Sequence, residues 1–244
     1  MESRTKMGTN KTGVQMSPID VDHMLDDVRS SGTSASDGAG IAAVRTTYIT
    51  EAEPVGTVPV PGTLQGAVSS GVQKMMGSRP EVLVDKLGER LAFERSGTRL
   101  YDALLTKYQA MPDKLRDMSA EQLARFRDEE TMHFKMVAEA MESLGADPTA
   151  QTPGADVVGV ESIGLMQVVD DPRTTLSQCL NAMLVVELAD NAGWELLIVL
   201  AEDMGQSGMA ENFRTARTEE QEHLAKIKHW HEQAVRRETS VFTS

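Results

Sequence analysis

Apolar residues recur at steps of three and four from Leu83 onward, the spacing that places side chains on one face of an α-helix. The pattern predicts four amphipathic helices, so we expect an all-α bundle over residues 81–237. The first helix should end near Pro112, and the second should begin at a capping sequence that starts with Ser119.

The inward-facing positions of these helices form an internal repeat of a helix pair. Positions in the first and third helices are 93 residues apart, and positions in the second and fourth are 90 apart. Such matched registers are typical of a duplicated structural unit. The inward-facing residues are Leu83, Leu87, Leu91, Glu94, Thr98, Tyr101, Leu105 and Tyr108 in the first helix; Leu123, Phe126, Glu130, His133, Val137, Ala140 and Leu144 in the second; Leu176, Leu180, Leu184, Glu187, Asn191, Trp194, Ile198 and Ala201 in the third; and Phe213, Ala216, Glu220, His223, Ile227, Trp230 and Ala234 in the fourth.

The remaining segments lack a long helical pattern. Residues 145–174 contain several Gly and Pro residues, and a connection of this length predicts a crossover that leaves the second and third helices parallel. Residues 1–80 are rich in Ser, Thr, Gly, Val and Pro, so we expect a largely irregular N-terminal extension. Within it, residues 18–28 can form one or two helical turns and residues 44–50 an extended strand. Residues 238–244 are expected to form a loose C-terminal tail.

Each predicted helix carries a glutamate at an inward-facing position where an apolar residue is expected, and in the second and fourth helices a histidine follows three residues later. A helix places such a pair on the same face, one turn apart. Buried carboxylates are costly unless they bind cations, and the inward-facing positions contain no Lys or Arg. Two divalent metal ions would satisfy the charges, with the lone glutamates as terminal ligands and those of the Glu-x-x-His pairs as bridges. The six candidate ligands are Glu94, Glu130, His133, Glu187, Glu220 and His223.

Composition narrows the class of protein. The net charge of -13 argues against nucleic-acid binding, which needs clustered Lys and Arg. Cys179 is the single cysteine, so an intramolecular disulfide and a Cys-x-x-Cys metal site are both excluded. The sequence contains no signal-peptide pattern and no apolar run long enough to span a membrane. We therefore expect a soluble cytoplasmic protein with no membrane partner.

The two Glu-x-x-His pairs, the lone glutamates and the spacing from Glu94 to Tyr101 resemble the ferritin-like superfamily, most closely its rubrerythrin and bacterioferritin branch. The resemblance covers about residues 81–237. It implies a ferritin-like four-helix bundle with a di-iron carboxylate site, in which Mn or Zn can also bind. Tyr101 lies two turns after Glu94 on the same face, where its hydroxyl can reach a carboxylate of the opposite helix pair. A tyrosine that only packs in the core is the alternative.

The same resemblance implies oxidation of ferrous iron with O2 or H2O2, in a homodimer or a larger assembly. The chain lacks a rubredoxin-like cysteine site, so electrons would come from ferrous iron or an external donor. Ferroxidase and peroxidase activities both remain open. A substrate-oxidising oxygenase is a further possibility. An alternative from another class is a structural or partner-binding protein. In this alternative the metal mainly stabilises the fold, and residues 1–80 dock the protein to a larger assembly.

Overall fold

The computed structural model describes residues 16–31, 38–62, 79–112 and 114–240. This part of the chain contains helices and their connections and no strand, which confirms the all-α prediction for the residues described. The helices are α1 (Pro18–Ser30), α2 (Ala39–Glu51), α3 (Pro80–Ala110), α4 (Ala120–Ser143), α5 (Pro153–Asp170), α6 (Leu176–Asp203) and α7 (Ser207–Ser240).

The four predicted helices are α3, α4, α6 and α7, and local chemistry fixes several of their ends. Ser119 caps α4 as predicted: its hydroxyl accepts a hydrogen bond from the N–H of Gln122, whose side chain accepts one from the N–H of Ser119. Thr175 forms the same capping box at the start of α6. Gly145 and Gly205 lie just beyond α4 and α6 with φ of 77° and 70°, a backbone conformation that glycine adopts without strain.

The long helices pack in the pairs that the repeat indicates, α3 with α4 and α6 with α7, and the pairs meet through α3 against α6 and α4 against α7. Two clusters of buried apolar side chains fill the interior. One contains Leu83 and Phe213, and the other contains Leu104 and Trp230. Along α3, the residues of the first cluster precede Glu94 and those of the second follow it. A polar layer therefore lies between two apolar regions.

The connection predicted as a crossover contains α5, a helix that the sequence pattern did not predict. The hydroxyl of Thr152 caps it by accepting a hydrogen bond from the N–H of Ala155. The helix packs against α3, where Gly88 permits the close approach because a Cβ there would collide with Thr152. The sequence of this helix contains glycines and is apolar around most of the helix. The spacing of apolar and polar residues that indicates a helix is therefore weak.

The prediction for the N-terminal region is corrected at α2. Residues 44–50 were expected to form a strand, and they lie within this helix instead. The hydroxyls of Thr46 and Thr47 donate to the carbonyl oxygens of Ala42 and Ala43, at 2.9 Å and 3.2 Å. Threonine is compatible with a helix when its hydroxyl bonds in this way. With α1 covering the predicted helical turns, the described part of the extension is more regular than expected.

The chain divides into two compact units, Met1–Glu53 and Pro54–Ser244. Helices α1 and α2 belong to the first unit and contain no buried residue. In the second unit, the N–H of Gly62 donates to the carbonyl oxygen of Gly145 at 2.8 Å. Helix α7 continues past the predicted start of the tail, and residues 241–244 lie outside the described part. None of the described helices is long and apolar enough to cross a membrane.

Candidate metal centre

The polar layer between the two apolar clusters contains all six candidate ligands, and each is 0% exposed. Their ligand atoms fall into two groups, within each of which the atoms lie within 4.8 Å of one another. The first group is Glu94, Glu130, His133 and Glu220, and the second is Glu130, Glu187, Glu220 and His223. Because two glutamates belong to both groups, the arrangement fits two neighbouring metal positions that share two carboxylates.

Several atoms of this layer are buried without a hydrogen-bond partner. They include both carboxylate oxygens of Glu130 and Glu220 and the Nδ1 atoms of both histidines. His133 Nδ1 lies 2.7 Å from Glu220 Oε1, and His223 Nδ1 lies 3.0 Å from Glu220 Oε2, yet neither contact has hydrogen-bond geometry. An unpaired buried polar atom costs roughly 1–3 kcal/mol. Lone pairs that converge in this way suit the binding of cations, which would remove the cost.

Each terminal glutamate has one carboxylate oxygen held by a neighbouring side chain and the other unpaired. The Tyr101 hydroxyl donates to Glu187 Oε1, and the Arg90 guanidinium donates to Glu94 Oε1 at 3.1 Å. The Oε2 atoms of both glutamates have no partner. Tyr101 therefore contacts a carboxylate of the opposite helix pair, as the sequence indicated, and each terminal glutamate retains one oxygen for a cation.

Gly97 and Asn191 lie beside the polar layer and determine how the helix backbones approach it. A Cβ at Gly97 would collide with the Glu130 carboxylate, so α3 leaves room for a ligand that both groups share. The side-chain amide of Asn191 donates to the carbonyl oxygens of Glu187 and Glu220, at 3.0 Å and 3.1 Å. This amide joins α6 to α7 at the level of the centre.

A further glutamate precedes each Glu-x-x-His pair and contacts the histidine of the other pair. Glu219 Oε2 lies 2.7 Å from His133 Nε2, and Glu129 Oε2 lies 2.7 Å from His223 Nε2. In the neutral imidazole, which is the form that binds a metal ion, donation from Nε2–H to these carboxylates leaves Nδ1 with its lone pair toward the centre. Neither residue occupies an inward-facing position of the predicted helices, yet Glu129 and Glu219 are 19% and 42% exposed and contact the histidines. The sequence signal is Glu-Glu-x-x-His in both halves.

The interior also contains an ion pair that the periodic pattern missed. Arg90 is 6% exposed and Asp190 is fully buried, and the guanidinium contacts the carboxylates of Asp190 and Glu94. The same guanidinium lies 4.5 Å from the ring centroid of Phe93 and 5.4 Å from that of Trp194. The expectation that no cation faces the buried carboxylates is therefore wrong. A single arginine still leaves the other carboxylates of the layer uncompensated.

Burial and mutual repulsion make the metal-free centre retain protons. Burial, followed by the charge of Glu220, raises the pKa of Glu130 from 4.5 to about 8. Burial is also the main cause of the raised pKa of each of the three other ligand glutamates. Although burial opposes protonation of His223, the surrounding carboxylates raise its pKa. A cation that binds here must displace these protons.

Removing the glutamate that contacts each histidine is expected to weaken metal binding without abolishing it. In Glu129→Ala and Glu219→Ala the imidazole loses the partner that fixes its tautomer, so Zn²⁺ affinity measured by calorimetry should fall about 10- to 100-fold. The control is Glu139→Ala, which removes an exposed carboxylate of α4. Equal affinities in all three variants would contradict the positioning role.

Residues 78–240 match the sequence profile of a family described as a domain of unknown function, DUF892. Searches of curated proteins and of solved structures found no match to the chain. The matched stretch includes α3 to α7 and every residue of the candidate centre. The chain thus belongs to the DUF892 family.

Proposed function

We propose that this chain is a ferritin-like four-helix protein that binds two iron ions in the polar layer and oxidises ferrous iron with O2 or H2O2. The observation that carries the proposal is the convergence of two groups of buried ligand atoms that share Glu130 and Glu220. Carboxylate oxygens mixed with imidazole nitrogens suit iron or manganese, and zinc also binds such ligands. Paired Glu-x-x-His motifs with two further glutamates are typical of ferritin-like carboxylate proteins.

Two ferrous ions supply two electrons, which with two protons reduce one O2 to H2O2 or one H2O2 to two waters. The protein's contribution is to fix the ligands and to keep bulk water away from them. Phe126 lies 4.1 Å from the ring of His223, and Trp194 lies 5.5 Å from the ring of His133, centroid to centroid. Both aromatic side chains are fully buried, so the ligands lie in an environment of low polarity where their charges interact strongly with cations.

Tyr101 supports the ligand role of Glu187. Burial, followed by the charge of Glu187, raises the pKa of the Tyr101 hydroxyl well above its ordinary value, so the hydroxyl stays protonated at neutral pH. A protonated hydroxyl donates to Oε1 and leaves Oε2 as the free ligand atom. The tyrosine therefore orients this carboxylate and supplies no negative charge of its own.

Tyr101→Phe is expected to weaken the metal position that contains Glu187 while leaving both ions able to bind. Loss of the hydrogen bond frees the carboxylate to rotate, and Zn²⁺ affinity at this position should fall about tenfold. Tyr108→Phe is the matched control, since that hydroxyl donates to the Met118 carbonyl oxygen and contacts no ligand. Both variants should unfold at a lower temperature, but only the first should bind Zn²⁺ more weakly in calorimetry. An unchanged affinity would contradict the orienting role.

The proposed activity is tested by loading the metal-free protein with ferrous iron under nitrogen and mixing it with O2 or H2O2 in a stopped-flow spectrometer. We expect a first phase that oxidises two ferrous ions per chain faster than buffer does, and that is absent from Glu130→Ala. A faster reaction with H2O2 would indicate a peroxidase, and a faster reaction with O2 a ferroxidase. Bound iron that is oxidised no faster than in buffer would refute the activity and favour a metal-stapled structural protein.

A further inference from the structure

We propose that the two metal positions are unequal, and that Arg90 makes the position containing Glu94 and His133 the weaker one. The inference rests on the proposed dinuclear centre and adds a residue that sets the order in which its positions fill. The buried Arg90–Asp190 pair has no role in the proposed function.

The two terminal glutamates are held by donors of different charge. On one side, the neutral hydroxyl of Tyr101 donates to Glu187 Oε1. On the other, the cationic guanidinium of Arg90 donates to Glu94 Oε1. Both carboxylates have an unpaired Oε2, and the groups that hold their Oε1 atoms differ in charge.

The charged donor is present in only one half of the repeat. The 93-residue offset pairs Arg90 with Met183 and Asp190 with Gly97, so neither member of the ion pair has a counterpart. Gly193 makes space for the guanidinium, because a Cβ there would collide with it. Without that space on α6, Arg90 could not take its place beside Glu94 and Asp190.

A buried cation in contact with a ligand carboxylate weakens the binding of a metal ion by that carboxylate. The guanidinium repels the incoming dication and withdraws electron density from Glu94, and burial prevents solvent from screening the repulsion. The negative charge of Asp190, which pairs with Arg90, acts on Glu94 in the opposite direction, but the guanidinium is the group that donates directly to the Glu94 carboxylate. Groups that hold metal ligands change metal affinity about 10- to 100-fold, which is the difference expected between the positions.

Single-histidine variants isolate the two positions for measurement. His133→Ala keeps the group with Glu187 and His223 complete, and His223→Ala keeps the group with Glu94 and His133 complete. The affinity for the first Zn²⁺ ion is measured in each by calorimetry on the full-length chain. We expect His133→Ala to bind this ion about 10- to 100-fold more tightly than His223→Ala.

Two variants then test whether Arg90 causes the difference. Arg90→Lys keeps the positive charge and should retain most of the affinity ratio. The double variant Arg90→Gln with Asp190→Asn removes both charges, keeps polar side chains of similar size, and should bring the two affinities to within about threefold. Equal affinities with Arg90 present, or an unchanged ratio in the double variant, would overturn the proposal.

A measurement on the unaltered protein keeps the test independent of whether the variants fold. Repulsion between two neighbouring ions makes the second ion weaker in any such centre, but it does not select which position fills first. With one equivalent of paramagnetic Co²⁺, we expect the proton NMR signals of the His223 ring to shift and broaden before those of His133. Equal effects on both rings would refute the inequality while leaving the centre intact. Absence of any binding would refute both the centre and the inequality, and absence of iron oxidation alone would refute only the proposed activity.

Discussion

Replacing Glu220 or Glu130 with glutamine is expected to end paired metal binding, reducing bound Zn²⁺ from two ions per chain to one at most. Each of these glutamates supplies ligand atoms to both groups, whereas Glu94 and Glu187 belong to one group each. Glutamine keeps the side-chain shape and removes the negative charge that would bridge two cations. Glu94→Gln should therefore impair one position, and Glu220→Gln should impair both.

The stoichiometry is measured by metal analysis after equilibrium dialysis against Zn²⁺, alongside thermal unfolding. At 100-fold excess over its dissociation constant, each bound ion stabilises the fold by about 2.7 kcal/mol. The wild-type protein should gain close to twice that free energy of unfolding, and the bridging variants much less. Glu139→Gln, an exposed substitution on the same helix as Glu130, is the control and should behave as wild type. Two ions retained in Glu220→Gln would show that the bridging role is misassigned.

The metal-free protein is expected to lose stability as the pH rises from about 5 to about 8, and to bind Zn²⁺ more tightly over the same range. The pKa of Glu130 is about 8 in the folded protein and has an ordinary value of 4.5. Between these values the folded state retains a proton that the unfolded state has released. The free energy of unfolding must then fall as the pH rises. The fall is at most about 1.4 kcal/mol for each unit by which the pKa in the folded state exceeds the pKa in the unfolded state.

The other ligand glutamates and His223 act in the same direction. The pKa values of the remaining ligand glutamates are also raised in the folded state, mainly by burial. The raised pKa of His223 contributes stability that is fully present below the ordinary histidine value and declines above it. Because bound metal displaces these protons, the increase in unfolding temperature on adding Zn²⁺ should be larger at the alkaline end of the range.

The measurement is thermal unfolding of chelator-treated protein at several pH values, with and without Zn²⁺, compared with Glu130→Gln. In the variant the dependence on pH should become shallower, since one of the raised carboxyl groups is gone. A metal-free protein whose stability rises between about pH 5 and pH 8 would contradict the assignment of protonated carboxyl groups to this layer.

The spacing of apolar residues along the chain was sufficient to predict the four long helices. It also predicted that six polar residues lie at one level of the interior. An ionisable residue within an apolar stripe is conspicuous, because a core position rarely accepts a carboxylate without a partner. The repeat added information that a single motif lacks, since Glu130-to-His133 and Glu220-to-His223 occupy matching registers. The predicted contact of Tyr101 with the opposite pair followed from the same register.

Residues beside the predicted stripe were missed because they depend on how two helices meet. Arg90 and Asp190 each neighbour an inward position without occupying one, and their contact joins residues 100 positions apart. Glu129 and Glu219 likewise each neighbour an inward-facing position without occupying one. Their carboxylates reach the histidines of the other motif only once α4 and α7 are packed together.

Secondary structure was predicted wrongly in two segments where only the conformational preferences of single residues were available. The β-branched residues of the 44–50 segment favour a strand, but threonine hydroxyls in α2 bond to carbonyl oxygens of the preceding turn. Helix α5 was not predicted because its sequence lacks a helical pattern. It is apolar on most of its surface and contains Gly159 and Gly164, so it has no clear polar face to reveal a helical period.

The most direct test of the dinuclear centre is X-ray absorption spectroscopy of the protein after loading with ferrous iron under nitrogen. The two shared glutamates predict a metal–metal distance of about 3.5–4 Å, together with a first shell of oxygen and nitrogen atoms. The metal–metal signal should disappear in Glu220→Gln, which loses the charge that joins the two groups. A spectrum with only light-atom shells at two irons per chain would contradict the paired centre, and so would protein that retains no iron.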